Sequence, residues 1–150
     1  MDEQELVQNS ESKLYLTFAV GDEDYGLEID VVMEIINVQT ITDVPELPAY
    51  IKGIINVRGK IIPVMDVRLR FNKQEQVYDD RTCIILVETG GTGIGLIVDT
   101  VRGVMDIDDS VITDPSDHRS GYENRYIRGI GKTEAGVKLL LNLERLVSDY

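Results

Sequence analysis

Gly26-Leu27-Glu28-Ile29-Asp30-Val31-Val32 returns as Gly95-Leu96-Ile97-Val98-Asp99-Thr100-Val101, an offset of 69 residues from 26 to 95. Tyr50-Ile51-Lys52-Gly53-Ile54 then returns as Tyr126-Ile127-Arg128-Gly129-Ile130, an offset of 76 from 50 to 126. Val64-Met65-Asp66-Val67 matches Leu140-Leu141-Asn142-Leu143 at that second offset. Two ordered matches in register are hard to obtain by chance. The 7-residue difference between the offsets places a longer connection in the second half. A repeat of this length implies two similar subdomains, each too small to bury much core alone, which therefore pack on each other. Two small barrels side by side create a groove, and a groove is where binding is expected.

Composition narrows the function class. At 150 residues and 43% hydrophobic, the chain suits one sizeable domain or two intimate small ones. A net charge of −12 argues against nucleic acid or an anionic membrane as the main partner, since both select basic surfaces. The single cysteine excludes an intramolecular disulfide, and Cys83 in Cys83-Ile84-Ile85-Leu86-Val87 reads as a small core residue. Met1-Asp2-Glu3-Gln4-Glu5 lacks the basic and apolar regions of a signal peptide, and no apolar run is long enough to cross a bilayer. The expectation is a soluble, cytoplasmic chain.

Residues 1–12 are acidic and polar, and read as a mobile tail. Leu14–Val20 alternates and is rich in strand formers; Gly21-Asp22-Glu23-Asp24 is a hairpin turn into a strand at Tyr25–Ile29. Asp30–Ile36 fits helical and strand periods alike, with its β-branched content favouring a strand. Pro45 and Pro48 interrupt regular structure before Tyr50. Ile54–Val57 and Lys60–Val64 flank Arg58-Gly59, a two-residue hairpin in which Gly59 accepts positive φ. Pro63 cannot donate to a ladder, so its strand should lie at an edge or turn the nitrogen outward. Asp66–Phe71 reads as a short helical turn. The second half repeats the plan: strands at Cys83–Glu88, Gly95–Asp99, Val101–Ile107, Ile127–Gly131 and Val137–Leu141, a polar connection from Asp108 to Arg125, and a terminal helix at Leu143–Val147. Many short strands with regular turns and little helix favour small barrels over a βαβ sheet. The expected division is barrel subdomain 1 over about 13–80 and subdomain 2 over about 81–150, with an exchange of termini between barrels left open.

No catalytic constellation emerges. Gly91-x-Gly93-x-Gly95 is followed by Leu96-Ile97-Val98 rather than by the helix a pyrophosphate site needs, so it reads as a turn. Asp106-x-Asp108-Asp109 lacks the central glycine and distal glutamate of a calcium loop. His118 is the only histidine, and a Cys83–His118 nucleophilic pair would set a reactive thiol in an apolar strand that makes it inert. Asp30, Asp66 and Asp99 occupy recurring repeat positions and suit turn or cap roles. Arg58 stands at a hairpin tip between apolar strands. By residue type it reads as a solubilising surface arginine in preference to an interface anchor, although arginine is a frequent one. By the same standard Val32 reads as core and Glu34 as a solvated face.

Several stretches together resemble the CheW family of bacterial chemotaxis coupling proteins. They are Phe18-x-x-Gly21-Asp22-Glu23-Asp24-Tyr25-Gly26-Leu27, Pro48-Ala49-Tyr50-Ile51-Lys52-Gly53-Ile54-Ile55-Asn56-Val57-Arg58-Gly59, Ile62-Pro63-Val64-Met65-Asp66-Val67-Arg68 and Gly95-Leu96-Ile97-Val98-Asp99. The resemblance runs from about Lys13 to the C-terminus. It implies a mainly β protein of two packed SH3-like five-stranded β-barrels with a short C-terminal helix. It further implies a non-catalytic adaptor, without cofactor or metal, that couples the cytoplasmic tip of chemoreceptors to the regulatory domain of the histidine kinase CheA. Such an adaptor is cytoplasmic and is recruited to membrane-associated receptor arrays. Arg58, Val32 and Glu34 match the family's receptor-contacting residues, and Thr82 and Ile84 match positions lining its inter-barrel groove. A kinase-binding surface is expected near Val38 and Ile41. A ring-closing contact falls on Asp117 and His118, where histidine departs from the family's aromatic residue. The residues alone leave a second reading open: a small-barrel module binding another protein or peptide in a different two-component pathway.

Overall fold

Alternating burial builds the sheets. Along Ile51–Val57, Ile51, Gly53 and Ile55 are buried while Lys52 and Ile54 are half-buried and Asn56 is exposed, the period-2 pattern of a strand with one covered face. The computed structural model describes residues 11–115 and 125–148. The strands are β1 Ser12–Val20, β2 Glu23–Glu28, β3 Val32–Asn37, β4 Ile51–Val57, β5 Lys60–Asp66, β6 Cys83–Thr89, β7 Thr92–Val98, β8 Thr100–Asp108, β9 Ile112–Thr113, β10 Ile127–Thr133 and β11 Gly136–Leu141. Two short helices follow β5 and β11: α1 Val67–Arg70 and α2 Leu143–Val147. Single 3-10 turns at Ile29–Val31 and Asp109–Val111 precede β3 and β9.

The strands form two sheets. One has the order β3-β6-β7-β5-β4 and uses only the middle of the chain, Val32 to Val98; we call it the central barrel. A bridge between Thr42 and Ile54, with reciprocal backbone hydrogen bonds of 2.9 Å, brings the chain after β3 onto β4 and closes it. The other sheet, the terminal barrel, has the order β8-β1-β2-β11-β10-β9. Here β9 follows β8 after one 3-10 turn and pairs with β10 at Thr113–Ile130 and Ile112–Gly131, so β8 and β9 act as one bent strand. Both are therefore five-stranded barrels of the expected SH3-like kind.

The sheets show how the duplication is used. Each barrel takes one hairpin from the opposite repeat: β1–β2 joins β8–β11, and β6–β7 joins β3–β5. Each exchanged hairpin joins antiparallel on one side, β6 to β3 and β1 to β8, and by a short parallel ladder on the other, Val64–Gly95 to Asp66–Ile97 in the central barrel and Lys138–Asp24 to Leu140–Gly26 in the terminal one. Residues 26 and 95 must be small there. A Cβ on Gly26 would lie 2.9 Å from Leu140 Cδ2, and one on Gly95 would lie 2.8 Å from Ile84 Cγ2 and 2.9 Å from Val64 Cγ1.

Three apolar clusters follow from this arrangement. Ile55, Ile62, Val64, Ile84, Leu86 and Ile97 fill the central barrel, and Tyr15, Ile107 and Leu140 its counterpart. The largest cluster draws on both barrels, from Phe18 and Tyr25 through Met65 and Leu96 to Tyr126 and Leu146, and is the shared interface. Within it Phe18, Tyr25, Phe71 and Tyr126 form a run of rings with neighbouring centroids 5.9, 5.0 and 5.9 Å apart.

One expectation needs correction, and for Pro63 the second of the two expected arrangements holds. The polar connection after Asp108 contains β9, a strand too short to produce an alternating pattern. Pro63 lies on β5, an interior strand rather than an edge. It is tolerated because Ile54, opposite it, spends both backbone groups on Thr42, so the proline nitrogen faces away from β4. Pairing with β7 begins only at Val64.

The parallel join supplies a direct test. Gly95→Ala should lower stability in urea unfolding by roughly 1–3 kcal/mol through overpacking. Gly93→Ala, whose Cβ would meet nothing nearer than the Val87 carbonyl at 3.8 Å, should stay within about 0.5 kcal/mol of wild type.

Candidate functional site

The β4–β5 hairpin reverses at Arg58-Gly59, and both residues have positive φ, 51° and 85°. This is the two-residue turn whose twist matches a right-handed hairpin. Gly59 alone was expected to adopt that conformation; Arg58 shares it, in a place where glycine, asparagine or aspartate sits more easily. Asn56 steadies the turn by accepting the Gly59 N–H at 2.8 Å.

Arg58 is three-quarters exposed and reaches from the hairpin tip to Glu34 on β3. Its two terminal nitrogens each donate to one carboxylate oxygen of Glu34, one at 3.2 Å, in a fork-on-fork arrangement. The Arg58 hydrogen bonds hold the Glu34 carboxyl below its ordinary range, and Glu34 raises the guanidinium in turn. A register shift in β3 between Val32 and Glu34 sets up this reach by re-aiming the strand against β6. Val32 itself is half-buried and packs on the shared core. Beside the ion pair is a depression of about 230 Å³ lined by Met33, Val57, Ile62, Leu86, Val87 and Ile94, with Lys60 at its rim.

A second cleft, of about 270 Å³, lies between the barrels and is polar. Arg68, following α1's N-cap, forks onto Asp99 at 2.8 and 2.6 Å, and Asp99 also accepts the Gly21 N–H at 2.8 Å. That carboxylate thus ties α1 to the β1–β2 turn, and its hydrogen bonds to Arg68 push the guanidinium's pKa up. Asp66 is buried and caps α1 through the Arg68 and Leu69 amides, while its other oxygen accepts the Tyr78 hydroxyl at 2.7 Å. Burial, then that bond, raises the Tyr78 phenol far above its usual value.

Of the residues singled out in the sequence, Arg58 and Glu34 are brought into contact, with Val32 two residues away on the same strand. Thr82 lines the inter-barrel cleft and bonds to Asp79. Ile84 is enclosed inside the central barrel and presents no surface. Val38 and Ile41 lie together, half-buried, against the same interior cluster. Asp117 and His118 lie outside the described residues, as does most of the 1–12 stretch. Cys83, expected in the core, is half-buried with its thiol 3.4 Å from the Arg81 carbonyl. Of Asp30, Asp66 and Asp99, expected in turn or cap roles, Asp66 caps α1, Asp99 accepts the Gly21 N–H of the β1–β2 turn, and Asp30 lies within the 3-10 turn before β3. The sequence reading passed over Met33 and Lys60. Lys60 directly follows the Arg58-Gly59 turn, a position that signalled its presence at the site.

The CheW-like domain family model matches residues 14–150. Among curated proteins, the chain is 31% identical over 134 residues to "Chemotaxis protein CheW" of Klebsiella aerogenes, covering 89% of this chain and 81% of that one. It is 28% identical over 147 residues to the protein of the same description from Treponema pallidum, covering 95% and 86%. Among solved structures, the scaffolding protein TtCheW of Thermoanaerobacter tengcongensis superposes with a TM-score of 0.84 at 38% identity, over 91% of this chain and 92% of that one.

The ion pair is directly measurable. By carboxyl-detected NMR, the Glu34 titration midpoint should lie below that of an ordinary glutamate and rise towards it in Arg58→Ala. Because the folded value is depressed, the pair is intact above the unfolded glutamate pKa and is lost as pH falls through the folded one.

Proposed function

The chain belongs to the CheW-like domain family, and from that premise we propose that it is the adaptor that couples chemoreceptors to a CheA-type histidine kinase in chemotaxis. The observation carrying this reading is the match over residues 14–150, spanning both barrels, together with the close superposition on a scaffolding protein. The adaptor is one domain over residues 13–150, behind an acidic stretch at 1–12.

In this reading the receptor's cytoplasmic tip docks against Arg58, Glu34 and Val32, and Thr82 adds a polar contact at the inter-barrel cleft. Ile84 contributes from beneath, by holding the wall of the central barrel against which β3 is laid. The kinase's regulatory domain meets the segment that carries Val38 and Ile41 on the way from β3 to the Thr42 bridge. Asp117 and His118 close kinase–adaptor rings from the terminal barrel.

The mechanism is association without covalent chemistry. Apolar surface leaves water at each contact, worth about 25 cal/mol per Å² before the costs of association. Arg58 supplies a directional contact whose fork geometry fixes register more than affinity. A signal passes only if one docking contact differs in strength between the receptor's two signalling states. No helix among the described residues is long and apolar enough to cross a membrane; the adaptor is cytoplasmic and reaches the membrane through its receptors.

Titration calorimetry against a receptor cytoplasmic fragment and, separately, against the kinase regulatory domain tests the assignment. Arg58→Asp should weaken receptor binding roughly tenfold or more, in line with loss of an interface arginine, and leave kinase binding unchanged. Val38→Ala with Ile41→Ala should do the reverse while the variant still unfolds cooperatively. A wild-type protein that binds neither partner would refute the reading.

A further inference from the structure

The duplication sets two clefts in equivalent places between the barrels, and they differ in charge. The one that holds the Arg68–Asp99 pair is about 270 Å³ in volume; the other, about 280 Å³, is lined among others by Val31, Arg128, Asn142 and Glu144. Asn142 and Glu144 are the repeat equivalents of Asp66 and Arg68 at the 76-residue offset, and Val31 is that of Thr100 at the 69-residue offset. Where the second cleft has a glutamate and a valine, the first thus has an arginine and a hydroxyl. The first also gathers arginines from three segments: Arg68 on α1, Arg81 just before β6, and Arg102 on β8.

The acidic groups of the first cleft are engaged. Asp99 accepts from Arg68 and from the Gly21 N–H, Asp66 from the α1 amides and the Tyr78 hydroxyl, and Asp79 from the Arg81 and Thr82 amides. Its outer donors are open. Among the described residues the Arg81 guanidinium, the Thr100 hydroxyl and the Gln76 amide take part in no hydrogen bond. Arg102 uses its Nε alone, towards Asp24 at 3.4 Å, and Asp24 is already held by Lys138 at 2.8 Å. In the second cleft, by contrast, Arg128 is taken up by Glu28 at 2.8 Å and by the Tyr15 hydroxyl at 2.6 Å. An excess of unanswered donors calls for an anion. A carboxylate is planar and offers two oxygens, whereas a phosphate monoester offers three around a tetrahedral centre and carries roughly two charges at neutral pH. Donors arriving from two walls suit the phosphate, and arginine is the side chain that grips it best. The volume, a little under the roughly 300–1,000 Å³ of drug-sized sites, leaves room for a short organic stem.

We propose that this cleft binds a phosphate monoester between Arg81 and Arg102, with Thr100 and Gln76 completing the donor set. Arg68 stays on Asp99 and keeps that carboxylate from repelling the ligand. Thr82, whose hydroxyl bonds to Asp79 at 3.3 Å, takes no part. The site is separate from the Arg58 hairpin and needs neither receptor nor kinase.

NMR of the intact protein, observing arginine Nε–Hε and backbone amide signals, is the test, with glycerol 3-phosphate titrated at constant ionic strength. Saturable shifts should appear at Arg81, Arg102 and Thr100, while Arg128 and Asn142 in the second cleft stay unmoved. Acetate should bind roughly tenfold more weakly, and Arg81→Gln and Arg102→Gln should each weaken the ester roughly tenfold, as for loss of one charge-assisted contact. Both arginines are exposed, so the variants should unfold at the wild-type midpoint. Affinity should also fall below about pH 6, where the monoester gains its second proton. A phosphoserine tetrapeptide forms a second arm: the tighter of the two ligands tells whether the phosphate comes on a small molecule or on a modified side chain. Shifts that are absent, fail to saturate, appear equally at both clefts or survive both substitutions would overturn the site. Acetate binding as tightly as the ester would overturn the phosphate as its occupant.

Discussion

Two short parallel ladders, β5 on β7 and β11 on β2, hold together strands from opposite repeats, and the rest of the structure depends on them. Together with the antiparallel pairings of β1 on β8 and β3 on β6, they close each barrel with a hairpin of the other repeat. Without that exchange each repeat would be a curved sheet lacking a hairpin, with its apolar face open to water. With it, both barrels close and the surfaces between them merge into one core that neither repeat could bury alone. The ladders need close approach of side chains across the join, which is why glycine stands at 26 and again at 95. The same exchange positions the candidate site. β3 is laid on β6, a strand of the other repeat, and that pairing carries Glu34 to where the Arg58 hairpin can reach it.

Near the local symmetry axis the repeats differ in a telling way. Tyr50 and Tyr126 are repeat equivalents, and both backbone carbonyls accept the amide of the helix N-cap, from Asp66 at 2.7 Å and from Asn142 at 2.8 Å. Arg70 is the equivalent of Leu146, yet it is buried: its guanidinium lies 4.3 Å from the Tyr50 ring centroid and 4.8 Å from that of Tyr126. Its Nε donates to the carbonyl of Leu146 itself at 2.9 Å. Removing a guanidinium from water costs several kcal/mol, offset here by two ring contacts of about 2 kcal/mol each when desolvated and by a charge-assisted hydrogen bond. Because those partners come from both halves, the one cation fixes how the barrels sit against each other. Arg68 reinforces it two residues earlier through Asp99.

Much of this was legible in the sequence. The repeat, the short strands, the Arg58 hairpin and the terminal helix all follow from period and turn chemistry, because each depends on neighbours close in the chain. Which copy of a repeated strand pairs with which was not legible. Equivalent residues such as Val64 and Leu140 offer the same chemistry to Gly95 and Gly26, and local pattern cannot choose between them. The Glu34–Arg58 pair was hidden for a related reason: each residue reads as a solvated charge until β3 and the hairpin are placed side by side. Arg70 did leave a signal, since the repeat aligns it with the buried Leu146, and a cation in a leucine register asks for an explanation. Ile84 shows the opposite failing, for a resemblance assigns a role to a position without saying that the side chain there is enclosed.

The exchanged hairpins also bear on how the chain reaches this state during synthesis. The central barrel occupies one unbroken stretch, Val32 to Val98, and can close as soon as that stretch has left the ribosome. The β1–β2 hairpin, made before that stretch, has to wait: its sheet neighbours are β8 and β11, and the bond from Lys138 to Asp24 joins residues 114 positions apart. Contacts of such sequence separation form late and slowly. Until they do, Leu16, Phe18 and Leu27, which end up fully buried, have only a partial shelter. A hairpin made before the central barrel is thus seated after it, and vectorial synthesis runs against the order of assembly.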